Sequence, residues 1–170
     1  MSIDEGLLRQ KLKTDERFFI ELCLNVLDKK TNQRVPFKFN RAQAHYDAAR
    51  SQYDMILKAR KMGFSSLIEA EFLADCILEP HISALIVAHR DEDAHLLFER
   101  IGWTLKHLDF AVPVSSEAEG HYRFAATESS FRVISARGKD PGRGRDVNRL
   151  HLSERAFYPD ESFLAAVEGA

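Results

Sequence analysis

An unbroken apolar run, ALIVA at residues 84–88, is the sequence feature that most constrains the fold of this chain. A short run without polar alternation is typical of a strand that is buried on both faces of a parallel sheet. One helical pattern stops before this run at Pro80, and another begins after it at Asp91. Such alternation of strand and helix predicts an α/β fold in which helices cover a parallel sheet.

The remaining patterns extend this alternation along the chain. Residues 18–27 fit either a helix or a strand, and the polar turn that follows favours a β-hairpin with an extended segment at 35–39. Further strands are expected at 53–59, 121–126, 130–135 and 148–152. Helices are expected at 4–14, 41–52, 65–78, 91–107 and from 163 onward.

Composition narrows the functional classes. With 45% hydrophobic residues among 170, we expect one soluble domain with a true core. The net charge of -2 provides no general attraction to nucleic acid, so such binding needs a local patch or an assembled oligomer. Cys23 and Cys76 lie far apart and form no C-x-x-C pair, which favours reduced, buried thiols. No apolar run approaches the roughly 18 residues of a membrane helix, and the N-terminus is too polar for a signal peptide.

Residues 58–66, KARKMGFSS, are similar to a phosphate-binding loop whose lysine has moved. In the pattern G-x-x-x-x-G-K-[ST], backbone N–H groups cradle phosphates, the lysine reaches the terminal phosphates and the hydroxyl binds Mg²⁺. Gly63 and Ser65 keep the spacing of the second glycine and the hydroxyl. Phe64 replaces the usual lysine, and Lys58 stands where the first glycine would be.

The surroundings of this loop support an anion site. A strand that ends at residue 59 and a helix that starts at Ser65 or Ser66 would place free N–H groups and a positive dipole at the loop. The cations Lys58, Arg60 and Lys61 lie along the approach. The alternative is a basic β–α turn in which the glycine serves only the backbone.

A second candidate site is Ser153-Glu154, directly after the predicted last strand. Open α/β sheets place catalytic groups at the carboxyl ends of their strands. In an ATPase such a glutamate orients the attacking water, and the preceding residue helps to hold Mg²⁺. The alternative for Glu154 is an ordinary acidic residue at a helix N-terminus.

Two further residues stand out. Gln43 lies at a helix start beside aromatic residues, where an amide could read an adenine edge, although an exposed helical glutamine is the simpler interpretation. Arg143 lies between glycines in a basic loop and could deliver a guanidinium to phosphate, as arginine fingers do. Backbone contact with nucleic acid and a solvated loop are the alternatives for Arg143. A metal site built from His81, His89 and His95 is not favoured, because their spacing does not place them on one helical face.

Four motifs in this order carry a family resemblance. They are F-x-x-N-R-A-Q at 37–43, K-A-R-K-M-G-F-S-S at 58–66, G-R-G at 142–144 and L-H-L-S-E-R-A-F at 150–157. Together they resemble the N-terminal ATPase domain of the large terminase subunit of tailed bacteriophages, the motor that packages DNA into proheads. The resemblance implies a parallel-sheet P-loop NTPase core of the ASCE type at 41–170, preceded by a helix and hairpin extension at 1–40.

The resemblance also implies residue roles, cofactors and partners. The cofactors would be ATP and Mg²⁺, with Gln43 on adenine, Ser65 and Ser153 toward Mg²⁺, Glu154 as catalytic carboxylate and Arg143 as a finger acting in trans. The loop residues that would bind ATP are Lys58, Arg60, Lys61, Gly63, Phe64, Ser65 and Ser66. Which cation replaces the lysine stays open among the three. The expected partners are double-stranded DNA, other subunits of a homo-oligomeric ring, the portal protein and the small terminase subunit, in the cytoplasm of a bacterial host and with no membrane.

The sequence departs from the family after Glu154. The family places a coupling motif and then an RNase-H-like nuclease domain beyond this point. We therefore expect a core that is truncated after the Walker B strand, which here is the predicted strand at 148–152. Such a core lacks one central strand and the nuclease domain. Two other functions stay open. One is a helicase-like DNA-dependent ATPase, against which the absence of a D-E-x-D/H signature counts. The other is a truncated, non-catalytic nucleotide-binding remnant.

Overall fold

The computed structural model describes residues 5–28, 30–118, 120–137 and 146–158. The chain divides into two compact units, Met1–Glu71 and Phe72–Ala170. The division falls inside a long helix rather than in a linker. The predicted separation of an extension at 1–40 from an ATPase core at 41–170 stays a prediction.

The first unit begins with two helices and a hairpin. Helices α1 (Glu5–Thr14) and α2 (Glu16–Cys23) precede the antiparallel strands β1 (Asn25–Leu27) and β2 (Arg34–Pro36). Asp15 caps α2 by accepting a hydrogen bond from the backbone N–H of residue 18 at 2.9 Å, which fixes the start of this helix. The predicted hairpin is confirmed, and its first strand is short because residues 18–23 belong to the helix.

Helix α3 (Arg41–Ala49) follows the hairpin, and the chain then runs through a segment without regular structure. The strand predicted at 53–59 is wrong. Tyr53, Met55 and Leu57 are 86%, 98% and 102% exposed, and no described strand pairs with this segment. Its alternating apolar pattern fits a strand, but a strand forms only where a neighbour accepts its backbone hydrogen bonds.

The second unit is built on a five-stranded sheet. Its strands are β3 (Ser83–Ala88), β4 (Val114–Ala118), β5 (His121–Phe124), β6 (Ser130–Ser135) and β7 (Arg149–Leu152). They are ordered β4-β5-β6-β3-β7, with β3 parallel to both β6 and β7 and the other pairs antiparallel. The fold is therefore α/β, as predicted, and its sheet contains both parallel and antiparallel pairs. The prediction that the sheet is parallel throughout is wrong.

Short connections explain the antiparallel half. Strands β4, β5 and β6 follow one another through connections at 119–120 and 125–129. A parallel crossover needs roughly a dozen residues or more, so such short connections can only reverse the chain direction. Strands β3 and β6, in contrast, are separated by helix α5 (Asp91–Lys106) and the β4–β5 hairpin, and they run parallel.

Most other predicted elements are confirmed. Helix α4 (Phe64–Leu78) and α5 agree with the predicted helices, and β5, β6 and β7 agree with the predicted strands. The helix predicted from residue 163 lies outside the described residues. None of the described helices combines the length and apolar composition that crossing a bilayer requires.

The apolar run at 84–88 forms the centre of the second unit. Each of its residues is buried, as predicted for a strand that is covered on both faces. Leu85 and Val87 form a buried cluster with Ala136, against which Leu152 and Tyr158 also pack. Because β6 and β7 flank β3 in parallel, the carboxyl ends of all three strands lie at the same edge of the sheet.

Candidate functional site

The chain enters helix α4 through a sharply bent turn. Lys61 and Gly63 both adopt the left-handed conformation, with φ of 65° and 79°. Glycine adopts this conformation without steric cost, whereas a lysine there is uncommon. The carbonyl of Gly63 then accepts a hydrogen bond from the N–H of Leu67 at 3.0 Å, which starts the helix. The predicted loop is therefore a defined turn at a helix N-terminus, although the strand expected before it is missing.

Asn40 and Gln43 form a capping box at the start of α3. Asn40 Oδ1 accepts from the N–H groups of Ala42 and Gln43 at 2.9 and 3.0 Å, and Gln43 Oε1 accepts from the Asn40 N–H at 2.8 Å. In this way the two amide oxygens satisfy backbone donors of the first turn of the helix.

The nitrogens of the same two amides hold the turn before α4. Asn40 Nδ2 donates to the carbonyl of Met62 at 3.0 Å, and Gln43 Nε2 donates to the carbonyl of Gly63 at 2.9 Å. A Cβ added at Gly63 would lie 3.0 Å from Gln43 Nε2, so the contact is close. Gln43 is only 4% exposed. Two motifs that the sequence presents 20 residues apart therefore meet in the first unit, and the adenine role of Gln43 stays a prediction.

The side chains of the turn separate into a buried and an exposed group. Phe64, at the position of the usual lysine, is buried and its ring meets Tyr46 edge-on at 5.7 Å. A lysine there would have to bury its charge or rearrange the helix start. Lys58, Arg60 and Lys61 are all exposed, so the positive charge of this turn comes from residues before the helix.

The start of α4 has the general features of an anion site. The first N–H groups of an α-helix lack intrahelical acceptors, and its dipole attracts anions. The first turn of α4 contains no acidic residue, and Ser65 and Ser66 are half-buried there. In the phosphate-loop pattern the hydroxyl at this spacing binds Mg²⁺, and this role of Ser65 stays a prediction. In the described part of the chain, no group of three or more His, Cys, Asp or Glu side chains is arranged to hold a metal ion.

Glu154 lies at the carboxyl end of β7 in the second unit, where the sequence predicted it. The N–H of Ser153 donates to the carbonyl of Val87 at 2.9 Å and so extends the pairing of β7 with β3. Glu154 follows in the left-handed conformation, with φ of 57°, and its side chain is 47% exposed. A 3₁₀ turn over Arg155–Phe157 comes next. The sheet thus positions the carboxylate at an accessible edge, while its catalytic role stays a prediction.

His89 and Asp93 accompany Glu154, and the sequence reasoning did not identify this group. The Nδ1 atom of His89 lies 3.4 Å from Glu154 Oε2 and 3.3 Å from Asp93 Oδ2. The His89 ring also contacts Phe157, with ring centroids 5.7 Å apart. The position of His89 directly after a buried strand was the available signal, since the carboxyl ends of such strands carry functional groups.

Tyr158 closes this edge of the sheet. Its hydroxyl donates to the carbonyl of Val87 at 2.8 Å, and burial raises the pKa of the phenol well above its ordinary value.

The predicted finger, Arg143, lies outside the described residues.

A scan against protein-family models and a search of curated proteins both gave no match. The resemblance to terminase ATPase domains therefore depends on the four sequence motifs.

Proposed function

We propose that this chain is the ATP-binding and ATP-hydrolysing domain of a viral DNA-packaging motor, the large terminase subunit. Its main structural support is the hydrogen bond from Gln43 to Gly63, because it joins two of the motifs that carry the resemblance. The order of the four motifs supplies the rest of the support.

In this proposal the turn before α4 binds the phosphates. The exposed cations Lys58, Arg60 and Lys61 neutralise their charge, and the N-terminal N–H groups of α4 donate to their oxygens. Ser65 supplies an oxygen to Mg²⁺. Bound ATP and Mg²⁺ would supply the transferable phosphoryl group and part of the charge neutralisation.

Glu154 is proposed as the residue that orients the attacking water. A carboxylate accepts hydrogen bonds from water and so fixes the direction of the lone pair of the water oxygen. Ser153 contributes a neutral hydroxyl toward Mg²⁺, and Arg143 acts from a neighbouring subunit on the charge of the transferred group. These roles belong to a P-loop NTPase core of the ASCE type, which is likewise part of the proposal.

The partners follow from the same resemblance. Hydrolysis would drive double-stranded DNA into a prohead through a ring of these subunits, docked on a portal protein and supplied with DNA by the small terminase subunit. The place of action would be the cytoplasm of the bacterial host.

Titration with ATP and Mg²⁺ tests the binding half of the proposal. We expect Lys58→Ala to weaken ATP binding by about 10- to 100-fold, the range for loss of one charged hydrogen bond. Lys13→Ala removes an equally exposed lysine from α1 and should leave the affinity unchanged. A wild-type chain that binds no ATP at millimolar concentration would refute the proposal.

A turnover assay tests the catalytic half. Glu154→Gln should abolish hydrolysis while ATP binding persists, and Glu99→Gln, an exposed glutamate on α5, is the matched control. Undiminished turnover in Glu154→Gln would remove this residue from catalysis. Binding without turnover in the wild-type chain would favour the non-catalytic nucleotide-binding module instead.

A further inference from the structure

His89 is placed between two carboxylates at the end of the central strand. Its Nδ1 atom lies 3.3 Å from Asp93 Oδ2, one turn along α5, and 3.4 Å from Glu154 Oε2, after the neighbouring strand β7. The two distances are nearly equal. One ring nitrogen therefore faces both the Asp93 carboxylate and the proposed catalytic carboxylate of Glu154.

A single ring nitrogen cannot satisfy both carboxylates at once. Nδ1 carries one hydrogen, and a hydrogen bond weakens steeply as its angle departs from linear. The N–H therefore bonds mainly to Asp93 or mainly to Glu154, according to which carboxylate lies closer to the N–H axis. Each choice leaves Glu154 in a different state, either held by a donor or released from it.

The surroundings of His89 hold its ring in place. Its side chain is only 14% exposed, and its ring contacts Phe157, so the imidazole has little freedom to move away. Glu154 is more exposed and has a left-handed backbone, which is uncommon for a residue with a Cβ. Such backbone strain persists where surrounding contacts hold it in place.

We propose that His89 is a positioning residue that orients the Glu154 carboxylate through Nδ1–H, in competition with Asp93. This inference depends on the proposed function, since it assigns His89 to the water-orienting step. When the Glu154 carboxylate accepts the N–H, one of its oxygens is fixed and the other is left for water. When Asp93 accepts it instead, Glu154 loses this support.

NMR of the histidine nitrogens tests the shared contact without any enzymatic activity. In the neutral form of the ring, we expect His89 to carry its proton on Nδ1 rather than on Nε2. Asp93→Ala should retain this tautomer because Glu154 still accepts, whereas Asp93→Ala combined with Glu154→Ala should lose it. Loss of the tautomer in Asp93→Ala alone would show that Glu154 does not engage His89 and would overturn the proposal.

Kinetics then tests the consequence. His89→Phe keeps a ring beside Phe157 but removes the donor, and it should lower kcat about 10-fold with an unchanged KM for ATP. His89→Asn retains an N–H donor near the Nδ1 position and should restore kcat to within about threefold of wild type. An unchanged kcat in His89→Phe, together with inactive Glu154→Gln, would refute the positioning role and leave the proposed function intact. Full turnover in Glu154→Gln would refute the proposed function, and the tautomer experiment would still decide the contact.

Discussion

Replacing Asn40 by alanine should destabilise the first unit more than the loss of an ordinary helix cap. The Asn40 side chain caps α3 through Oδ1 and holds the turn before α4 through Nδ2. Alanine removes both functions together. Asp15 is the matched comparison, because it also caps a helix, α2, in the same unit.

The magnitude can be worked out from these contacts. Loss of an N-cap side chain costs about 1 kcal/mol, within a range of 0.5–2. The 3.0 Å bond from Nδ2 to Met62 is neutral and lies at an exposed position, so it adds about 0.5–1 kcal/mol. We therefore expect Asn40→Ala to lower the free energy of unfolding by about 1.5–2 kcal/mol and Asp15→Ala by about 1 kcal/mol.

A third variant separates the two functions of Asn40. Asn40→Asp keeps an equally good capping oxygen but removes the Nδ2 donor, so it should cost at most about 0.5–1 kcal/mol. Its negative charge at the start of α3 offsets part of that cost through the helix dipole.

Urea unfolding followed by far-ultraviolet circular dichroism measures all three variants. Amide hydrogen exchange at Ala42 and Gln43 adds a local readout, since both N–H groups donate to Asn40 Oδ1. If Asn40→Ala is no more destabilising than Asp15→Ala, the bond to Met62 contributes nothing to stability. If Asn40→Asp is as destabilising as Asn40→Ala, the cap contributes nothing.

Two further predictions concern a partly buried phenol and a buried hydroxyl. Burial, helped by the charges of Glu71 and Asp54, raises the pKa of Tyr46 from 10.0 to about 12. Between about pH 10 and about pH 12 Tyr46 ionises only in the unfolded chain, so it makes stability fall across that window. Partly buried Tyr158 acts in the same direction, so Tyr46→Phe should reduce the slope in urea unfolding measured at several pH values rather than abolish it. Ser129 Oγ accepts from the N–H of Ile82 at 2.9 Å in a fully buried position, so Ser129→Ala should cost about 1–3 kcal/mol in the same assay. An unchanged alkaline slope in the first variant, or a loss below about 0.5 kcal/mol in the second, would contradict these assignments.

The sequence predicted best the elements whose burial is uniform along them. The run at 84–88 is apolar throughout because β3 is covered on both faces and paired on both sides, and this demand leaves no polar position. The start of the helix predicted from residue 41 is similarly local, because Asn40 Oδ1 accepts hydrogen bonds only from residues two and three positions ahead. Local demands of this kind are recorded directly in the residue pattern.

Strand pairing was harder to predict because it depends on distant residues. Residues 53–59 alternate as a strand should, yet no described strand accepts their hydrogen bonds. Strand β4 is the opposite case. Its sequence, V-S-S-E-A, has no apolar run, so no strand was predicted there, but its pairing with β5 makes it a strand. The direction of a strand likewise follows from its connections, which explains the error over a fully parallel sheet.

The candidate site divides in the same way. The sequence singled out the glycine, the hydroxyl and the cations of the turn because a phosphate loop has a local pattern, and their role in phosphate binding stays a prediction. The contact between His89 and Glu154 was not predicted, because it joins the ends of two strands that are far apart in sequence. The position of His89 directly after β3 marks it as a candidate, but it does not indicate which residue it contacts.

The contacts of Gln43 limit how it could read a nucleotide base. A glutamine amide offers two N–H donors and one oxygen, and here the oxygen accepts from Asn40 while one N–H donates to Gly63. The side chain is almost fully covered, so a base could reach its remaining N–H only if the turn before α4 shifted. Contact with adenine would therefore be linked to the conformation of the turn before α4, because the same amide holds the carbonyl of Gly63. In this arrangement, base recognition and phosphate binding would not be independent contributions to affinity, since any base contact that displaces the Gln43 amide also releases the residue that starts α4.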